Sequence, residues 1–327
     1  MRSTHLLIWI ALSCTCFCAA QEAPKCCPEQ ATKEKQQALW QKMTESVEQI
    51  DKHLNGVMGV AVLDLTDGKQ FLLRPDEVFP QASSIKIAVL AELYHQEQQS
   101  ENGVAGKQRL KDLYTVRRED MVPDSDIMLG LTPGVTQLTN RDLATMMVAV
   151  SDNSATNVLI DKLGMENVNA LLRSLGLRQT KLQRKMMDLK AAGEGRENIA
   201  TPREMMTLLE QIYKGRLFNR ALTDDFFKML STGADDVDTK ASMILRGIPP
   251  GVMVADKVGE LEAVRADSGV VFATNRPFVI CVMTTYLSDE KEGEKAIENV
   301  ARAAFPYFDM VGRASEYGRV ISPRNGR

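Results

Sequence analysis

Three short stretches of the chain carry residue types that together could transfer an acyl group. In chain order along the 327 residues, the stretches are Ser83-Ser84-Ile85-Lys86, Ser151-Asp152-Asn153 and Lys257-Val258-Gly259. A serine hydroxyl attacks an acyl carbon when a neighbouring amine or hydroxyl moves its proton. An amide and a second cation can hold the substrate and its carboxylate. Together the stretches predict covalent acyl transfer by serine without the help of histidine.

Ser83 and Lys86 are the predicted nucleophile and base. They stand three residues apart at the start of an apolar run at 87–94, and on a helix this spacing puts both side chains on one face. A partly desolvated lysine can lose its proton and serve as a base. The helix N-terminus also offers a free backbone N–H for a developing oxyanion. Ser84 would face away from the lysine. For this pair alone, a helix cap beside a solvated lysine is the better explanation.

The second stretch supplies a proton relay and an amide. Ser151, Asp152 and Asn153 are residue types that suit a junction between two helices, and capping is the simpler explanation of them alone. Beside Ser83 and Lys86, we expect Ser151 to carry a proton to the leaving nitrogen and Asn153 to bind a substrate side chain. Asp152 would face inward and hold the turn.

The third stretch supplies a cation and a close backbone approach. Lys257-Val258-Gly259 closes a short apolar strand, and a lysine on an edge strand is commonly a solubility device. In the functional interpretation, Lys257 attracts a substrate carboxylate and Gly259 lets the substrate backbone lie close. The backbone N–H of Glu260 would then join that of Ser83 in an oxyanion hole.

The elements that position these residues are predicted from periodicity and turn signals. The chain opens with an amphipathic helix at 34–54 and a hairpin of strands at 57–65 and 70–74. A helical block at about 83–225 follows, and strands and a closing helix end the chain. Within the block we expect helices at 143–150, 154–163 and 166–174, and one opened by a capping box, Thr201-Pro202-Arg203-Glu204. The later strands are predicted at 253–257, 264–273 and 278–286, and the closing helix at 293–308.

These elements predict an α+β fold. Because strands come from both ends of the chain without alternating βαβ units, we expect one mainly antiparallel sheet flanked by the terminal helices, with an all-helical subdomain beside it. The expected organisation is a signal peptide at 1–20, a polar linker at 21–35, a catalytic domain at 36–312 and a polar tail at 313–327.

Composition excludes several other classes of protein. The chain is 44% hydrophobic and 25% charged, with a formal net charge of −3. Its basic residues are scattered without interleaved aromatics, so no nucleic-acid partner is expected. Only His53 and His95 remain after the predicted cleavage, too few for a usual zinc cluster, and neither suits a triad with Ser83. No metal and no cofactor are predicted.

The N-terminus is typical of an export signal. Arg2 precedes an apolar core at 6–12, and small residues lie before the predicted cut at Gln21. Lipidation at Cys14 ranks below simple cleavage. The apolar run is too short for a stable membrane span. We therefore expect an exported protein, periplasmic or secreted, and a monomer. Of the cysteines left after cleavage, Cys281 is predicted to be a buried free thiol, while Cys26 and Cys27 have no predicted role.

With these three stretches in this order and spacing, the chain resembles the class A β-lactamases and the wider family of serine penicillin-recognising enzymes, over roughly residues 36–312. The segment 122–128 also resembles the one that these enzymes carry before their S-D-N helix. The resemblance implies Ser83 as nucleophile, Lys86 as base, Ser151 as proton relay, and Asn153 and Lys257 as substrate contacts.

Two departures from the family concern substrate binding and hydrolysis. Val258 stands where the family has threonine or serine, so a hydroxyl for the substrate carboxylate is missing. Arg265 could replace that contact, or it could be a surface strand residue. In the loop before Thr201-Pro202, class A enzymes carry R-x-E-x-x-x-N, whose glutamate activates the deacylating water.

Two registers are open for that loop. With Arg184 as the arginine, the glutamate position falls on Met186 and the asparagine position on Lys190. A shifted register uses Glu194 and Asn198. We favour the first, because it keeps the distance to the following helix nearly right, and we interpret Glu194 as a solvated loop residue.

Three functions follow from these observations. The leading one is a serine β-lactamase that opens β-lactam amides, an antibiotic-resistance enzyme. The second is a penicillin-binding D,D-peptidase-like enzyme with slow deacylation and a cell-wall peptide as substrate. The third is a pseudoenzyme that binds a peptidoglycan fragment or another protein, although a pure binder has no need for Ser83, Lys86 and Ser151 together.

Overall fold

The computed structural model describes residues 28–232 and 242–320. The predicted signal peptide, its cut site, Cys26 and Cys27 lie outside the described residues. The helices are α1 (Pro28–His53), α2 (Lys86–Glu101), α3 (Asn140–Ala149), α4 (Asn153–Leu163), α5 (Met165–Ser174), α6 (Leu189–Gly193), α7 (Pro202–Tyr213), α8 (Arg220–Leu230), α9 (Met243–Arg246) and α10 (Glu290–Arg313). The strands are β1 (Val57–Asp64), β2 (Gln70–Leu73), β3 (Phe79–Pro80), β4 (Leu113–Thr115), β5 (Gln137–Thr139), β6 (Ile199–Ala200), β7 (Val254–Leu261), β8 (Val264–Val271) and β9 (Phe278–Thr285).

A five-stranded sheet is built from both ends of the chain, as predicted. Its strand order is β2-β1-β9-β8-β7, and every neighbouring pair is antiparallel. The first strand of the chain therefore pairs with the last, from Val57 opposite Thr285 to Asp64 opposite Phe278. The expected α+β fold is confirmed.

Each face of the sheet packs against a different helical layer. Side chains of a strand alternate between faces: Ala266 and Val270 of β8 belong to the core shared with the helical block, whereas Val271 belongs to the core shared with α1 and α10. All eight residues of β8 are buried, because helices cover both of its faces. The position of a residue along a strand thus decides which layer its side chain meets.

Capping residues mark the ends of the helices in the helical block. Thr139 caps α3 and forms a reciprocal capping box with Asp142, and Gly164 ends α4 with a φ of 86°, a conformation that suits glycine. Thr201 caps α7 as expected. The sequence also predicted that the Glu204 side chain would complete a capping box with Thr201. This part of the prediction is wrong, because the Glu204 carboxylate accepts the N–H groups of residues 178–180 instead.

Several elements are longer than the sequence pattern indicated. α1 begins at Pro28, inside the stretch expected to be a linker, and α10 covers Glu290–Arg313 rather than 293–308. β7 continues to Leu261, so Lys257 lies in the middle of a strand and not at its end. The cause is the β7–β8 hairpin, whose pairing runs unbroken from Val254 to Leu261. Among the described helices, none combines the length and the apolarity that a membrane crossing needs.

Candidate active site

A cavity of about 380 Å³ opens where the turn before α2, the start of α4 and strand β7 meet. All three of the stretches singled out in the sequence contribute to its walls or floor. The lining residues are Ser83, Asp124, Asp126, Val150, Ser151, Asn153, Val258 and Glu260. Another cleft, of about 410 Å³, lies between α1 and α10, but its lining carries no hydroxyl or thiol nucleophile. The chemistry, not the volume, assigns the site to the first cavity.

Ser83 lies on a tight turn directly before α2. Residues Ala82–Ile85 form a 3₁₀ turn, and the α-helix begins at Lys86. Side chains three residues apart eclipse each other in a 3₁₀ turn, so this turn is compatible with the prediction that Ser83 and Lys86 share one side. Ala82 has a φ of 46°, a left-handed conformation that costs an L-residue energy and is typical of functional sites. Ser84 is fully buried, away from the cavity lining.

Lys86 is the buried amine of the site. Its side chain is 1% exposed, and its Nζ lies 2.9 Å from Ser151 Oγ, 2.6 Å from Ser151 O and 2.9 Å from Asn153 Oδ1. Burial, reinforced by the positive charge of Lys257, holds the pKa of Lys86 well below the ordinary value of a lysine. A neutral amine in contact with a second hydroxyl has the properties of a base with a proton relay.

The junction between α3 and α4 holds Ser151 and Asn153 in place. Ser151 has a φ of 59°, and Asp152 next to it is fully buried. One oxygen of Asp152 accepts the N–H of Ala155, capping α4, while the other accepts the N–H groups of residues 127 and 128 at 3.1 and 2.9 Å. The inward-facing role predicted for Asp152 agrees with these contacts. Asp152 therefore ties the segment that precedes residue 128 to the junction.

Strand β7 closes the cavity on the other side. Lys257 is 4% exposed and its Nζ lies 3.2 Å from Val258 O, while Val258 lines the cavity and also packs against the core shared with α1 and α10. Gly259 lies against the serine turn: a Cβ at this position would meet the carbonyl oxygen of Gln81 at 2.1 Å and the Ser84 nitrogen at 2.9 Å. Only glycine permits this contact between strand and turn.

Arg265 does not reach the cavity, and the expectation that it contacts a substrate carboxylate is corrected. Its side chain is on the α10 face of the sheet, where Nη2 lies 3.2 Å from Glu290 and Nε 3.3 Å from Glu294. Nη1 donates to the carbonyls of Leu261 and Val264. These ion pairs and backbone contacts hold the side chain against α10. The guanidinium is 10% exposed, so it is not a surface residue either.

Comparisons with known proteins place this geometry in a family. The model of the Beta-lactamase enzyme family matches residues 39–308. The chain belongs to this family. It is 27% identical over 280 residues to the β-lactamase SME-1 of Serratia marcescens, covering 81% of this chain and 88% of that protein. The predicted family and enzyme class are confirmed.

Solved structures share the fold. An ancestral (GNCA) class A β-lactamase is 27% identical with a TM-score of 0.72, covering 81% of this chain and 100% of that one. PBP-A is 23% identical with a TM-score of 0.70, covering 82% of this chain and 96% of that one, and a mutant of PBP-A has been solved as an acyl-enzyme complex with penicillin G. At 23% identity, the likeness to PBP-A shows a shared fold and nothing more.

The loop before α7 carries Met186, which the favoured register puts at the glutamate position. Met186 is 6% exposed, and both its backbone groups bind the Asn157 side chain, with Met186 N 2.8 Å from Oδ1 and Nδ2 3.0 Å from Met186 O. Asn157 lies one turn of α4 beyond Asn153, about 6 Å along the helix at 1.5 Å per residue. The Met186 backbone is thereby held by a residue one helical turn from Asn153, whose amide contacts Lys86.

Two further contacts fix the course of this loop. Arg184 forms an ion pair with Glu197 at 2.8 Å, and the buried Asn198 amide oxygen accepts the N–H of Arg184 at 3.1 Å. Glu194, the alternative water-activating residue, is exposed and pairs with Arg196 at 2.6 Å. Glu194 does not line the cavity, in agreement with its interpretation as a solvated loop residue.

The sequence analysis missed several residues of the site. Asp124 and Asp126 lie within a segment that the family resemblance had singled out, but no role was given to them. Asn157 carries a signal that was available, because it follows Asn153 at the spacing that puts two side chains on one helix face. Gln81 is buried, and its backbone N–H donates to the carbonyl of Asn198, in the loop before α7, at 2.8 Å. Nothing in the sequence around Gln81 indicates this contact. In the described residues, no group of three metal-ligating side chains is present.

Proposed function

We propose that the protein is an exported serine hydrolase that opens the amide bond of β-lactams through an acyl-Ser83 intermediate. The observation that carries this proposal is the Lys86 amine, which is buried three residues after the nucleophile and bonded to both Ser151 and Asn153. Burying an amine away from water costs free energy, and a protein that only binds a ligand has no use for a buried amine near this serine.

The acylation step follows from these positions. Neutral Lys86 accepts the hydroxyl proton of Ser83 as Ser83 Oγ bonds to the carbonyl carbon. The N–H groups of Ser83 and Glu260 receive the charge that develops on the carbonyl oxygen. When the carbon–nitrogen bond breaks, Ser151 gives its hydroxyl proton to the leaving nitrogen and takes the proton that Lys86 carries. Throughout this step, Asn153 binds the substrate amide and Lys257 binds the substrate carboxylate.

Release of the product requires a water molecule. The water adds to the acyl carbon, the bond to Ser83 Oγ breaks, and Ser83 recovers its proton. Class A enzymes use a glutamate to activate this water, whereas the register favoured from the sequence puts Met186 at that position. This register favours a second candidate, a penicillin-binding D,D-peptidase-like enzyme that acylates in the same way and deacylates slowly.

One experiment separates the two candidates. The mature protein is mixed with benzylpenicillin, and intact mass and substrate loss are followed together. We expect an adduct of one penicillin on Ser83, absent in Ser83→Ala. Rapid substrate loss with little adduct identifies a β-lactamase, and a persistent adduct with slow substrate loss identifies the slow-deacylating enzyme. If neither adduct nor loss is detected, the proposal fails and a non-catalytic binder takes its place.

A further inference from the structure

The N-terminus of α4, which carries Asn153, has a partner for each of the four backbone N–H groups that a helix leaves unpaired there. The N–H of Asp152 donates to a carbonyl of α3 at 3.1 Å, and that of Ala155 donates to the Asp152 side chain at 2.9 Å. The other two N–H groups, of Asn153 and Ser154, donate to the segment 122–126. Two residues of this segment line the cavity, so the helix end is fixed against one cavity wall.

The segment 122–126 offers α4 one carbonyl and one buried hydroxyl. Asn153 N lies 3.4 Å from Asp124 O, which is long for a hydrogen bond. Ser154 N lies 2.9 Å from Ser125 Oγ, and the two serine hydroxyls lie 2.8 Å apart. Ser125 is 1% exposed and Ser154 is fully buried. The Ser125 hydroxyl therefore provides the stronger of the two contacts, because it is shorter and lies away from water.

The direction of the Asn153 side chain depends on how the first turn of α4 is held. Asn153 Oδ1 accepts a hydrogen bond from Lys86 Nζ at 2.9 Å, so its Nδ2 group remains as the donor for an acyl carbonyl of the substrate. Ser154 follows Asn153 directly, and a rotation of this turn would move the donor away from the cavity. The Ser125 hydroxyl opposes that rotation, although Ser125 does not itself line the cavity.

We propose that Ser125 is a positioning residue that gives the site a preference for acyl donors with a side-chain amide, because it fixes Asn153 through the Ser154 N–H. The inference rests on the proposed acylation of Ser83 and on the substrate contact proposed for Asn153. A donor with a side-chain amide uses the Asn153 contact, whereas a donor with a free amine in its place does not. Removing the Ser125 hydroxyl should therefore slow the first donor far more than the second.

Benzylpenicillin and 6-aminopenicillanic acid test this inference, because they share one ring system and differ in the side-chain amide. The readout is the ratio of their second-order acylation rate constants, measured by intact mass against time. We expect Ser125→Ala to lower this ratio by about 10-fold, since misplacing a contact by about 1 Å can cost that much or more in rate. Asn153→Ala should lower the ratio at least as far.

A double variant shows whether Ser125 acts through Asn153. If it does, adding Ser125→Ala to Asn153→Ala should lower the ratio no further, because the contact that Ser125 positions is already gone. The same comparison on the benzylpenicillin rate constant alone decides the question if 6-aminopenicillanic acid acylates too slowly to follow. A merely structural role would slow both donors equally and would add to the effect of Asn153→Ala.

Ser242→Ala is the matched control. Ser242 is 1% exposed, and its hydroxyl accepts an N–H at the N-terminus of α9 at 3.0 Å. Its loss should cost stability, as Ser125→Ala does, and leave the ratio unchanged. If Ser125→Ala does not fold, Ser125→Cys takes its place, because a thiol is only a weak acceptor, and it should lower the ratio by about 3-fold.

The outcomes separate this inference from the proposed function. An unchanged ratio in the folded Ser125 variant, or a further fall in the double variant, overturns the inference while acylation of Ser83 stands. An equal fall of the ratio in Ser242→Ala does the same. If benzylpenicillin does not acylate the natural protein, the proposed function fails and the inference falls with it.

Discussion

At the scale of single residues, the proposed chemistry depends on the protonation of Lys86. Its amine touches Ser151 and Asn153, and its three contacts suit an ammonium group. Its burial and the nearby Lys257 act in the opposite direction and lower its pKa. The proposed acylation needs the neutral form, in which the Ser151 hydroxyl can donate to the Lys86 lone pair. A modest change in the surrounding charge therefore changes how much of the enzyme is active at a given pH.

The pH dependence of acylation should reveal this balance. Below the pKa of Lys86 the amine carries a proton and cannot accept another, so the acylation rate should rise with pH and then level off. Removing the charge in Lys257→Met should raise the pKa of Lys86, because that charge lowers it. The rise should then move to higher pH, whereas Lys228→Met, an exposed site on α8, should leave it in place. A pH profile that Lys257→Met does not move would exclude Lys86 as the base.

Met186 is the second residue with a sharp consequence. Met186→Glu places a carboxylate in the loop next to Asn157, and we expect the rate of deacylation to rise by about 100-fold, the usual contribution of a general base. The measurement is the decay of the Ser83 adduct by intact mass. Met186→Gln has nearly the same shape but cannot accept a proton, so it should decay like the natural protein. If both variants decay alike, the loop does not place residue 186 near the acyl carbon.

At the scale of elements, the site depends on the contact between strand β7 and the turn that carries Ser83. The strand can lie against the turn only because Gly259 has no side chain, and its missing Cβ would fall 2.1 Å from the Gln81 carbonyl oxygen. The proposed oxyanion hole takes one N–H from each of these elements. Its geometry is therefore set by the distance between two pieces of backbone.

Gly259→Ala should push the strand and the turn apart. Because backbone cannot yield as a side chain does, we expect a loss of about 3 kcal/mol of unfolding free energy and a strong loss of acylation. Denaturant unfolding and the intact-mass assay measure the two effects. The control is Gly193→Ala, where a Cβ meets nothing within 4 Å; it should keep both stability and acylation. Full acylation in Gly259→Ala would show that the oxyanion hole does not depend on this contact.

The elements themselves were largely predictable, and the failures have local causes. Thr139 and Gly164 mark helix ends through their own backbone preferences, so their sequence signals hold. Glu204 satisfied the sequence pattern of a capping box, but its carboxylate binds the N–H groups of residues 178–180, a tertiary contact that no local pattern contains. The face on which Arg265 lies depends on the register of β8 between its neighbours, and an error of one residue reverses every side chain.

At the scale of the whole molecule, Arg265 joins the sheet to the C-terminal helix. Its side chain, 10% exposed, lies between Glu290 and Glu294, so the edge hairpin of β7 and β8 is tied to α10. The sequence suggested a substrate contact for this residue. Its position indicates a contribution to stability instead.

Arg265→Met separates these two roles. Because the partner carboxylates are 43% and 29% exposed, solvent screens the pair, and we expect a loss of roughly 1–2 kcal/mol of unfolding free energy. The acylation rate of the folded protein should not change. Arg246→Met breaks a more exposed pair with Glu294 and should cost less. If Arg265→Met slows acylation without changing stability, the prediction that Arg265 contacts the substrate would be correct after all.

The pairing of β1 with β9 also determines when the molecule can fold. Val57 emerges early in synthesis, but its partner Thr285 is among the last residues of the sheet. The central pair cannot form until nearly the whole chain has left the ribosome, and contacts so distant in sequence form slowly. An incomplete chain therefore exposes β1 without a partner. This topology delays the folded state until synthesis of the chain is almost finished.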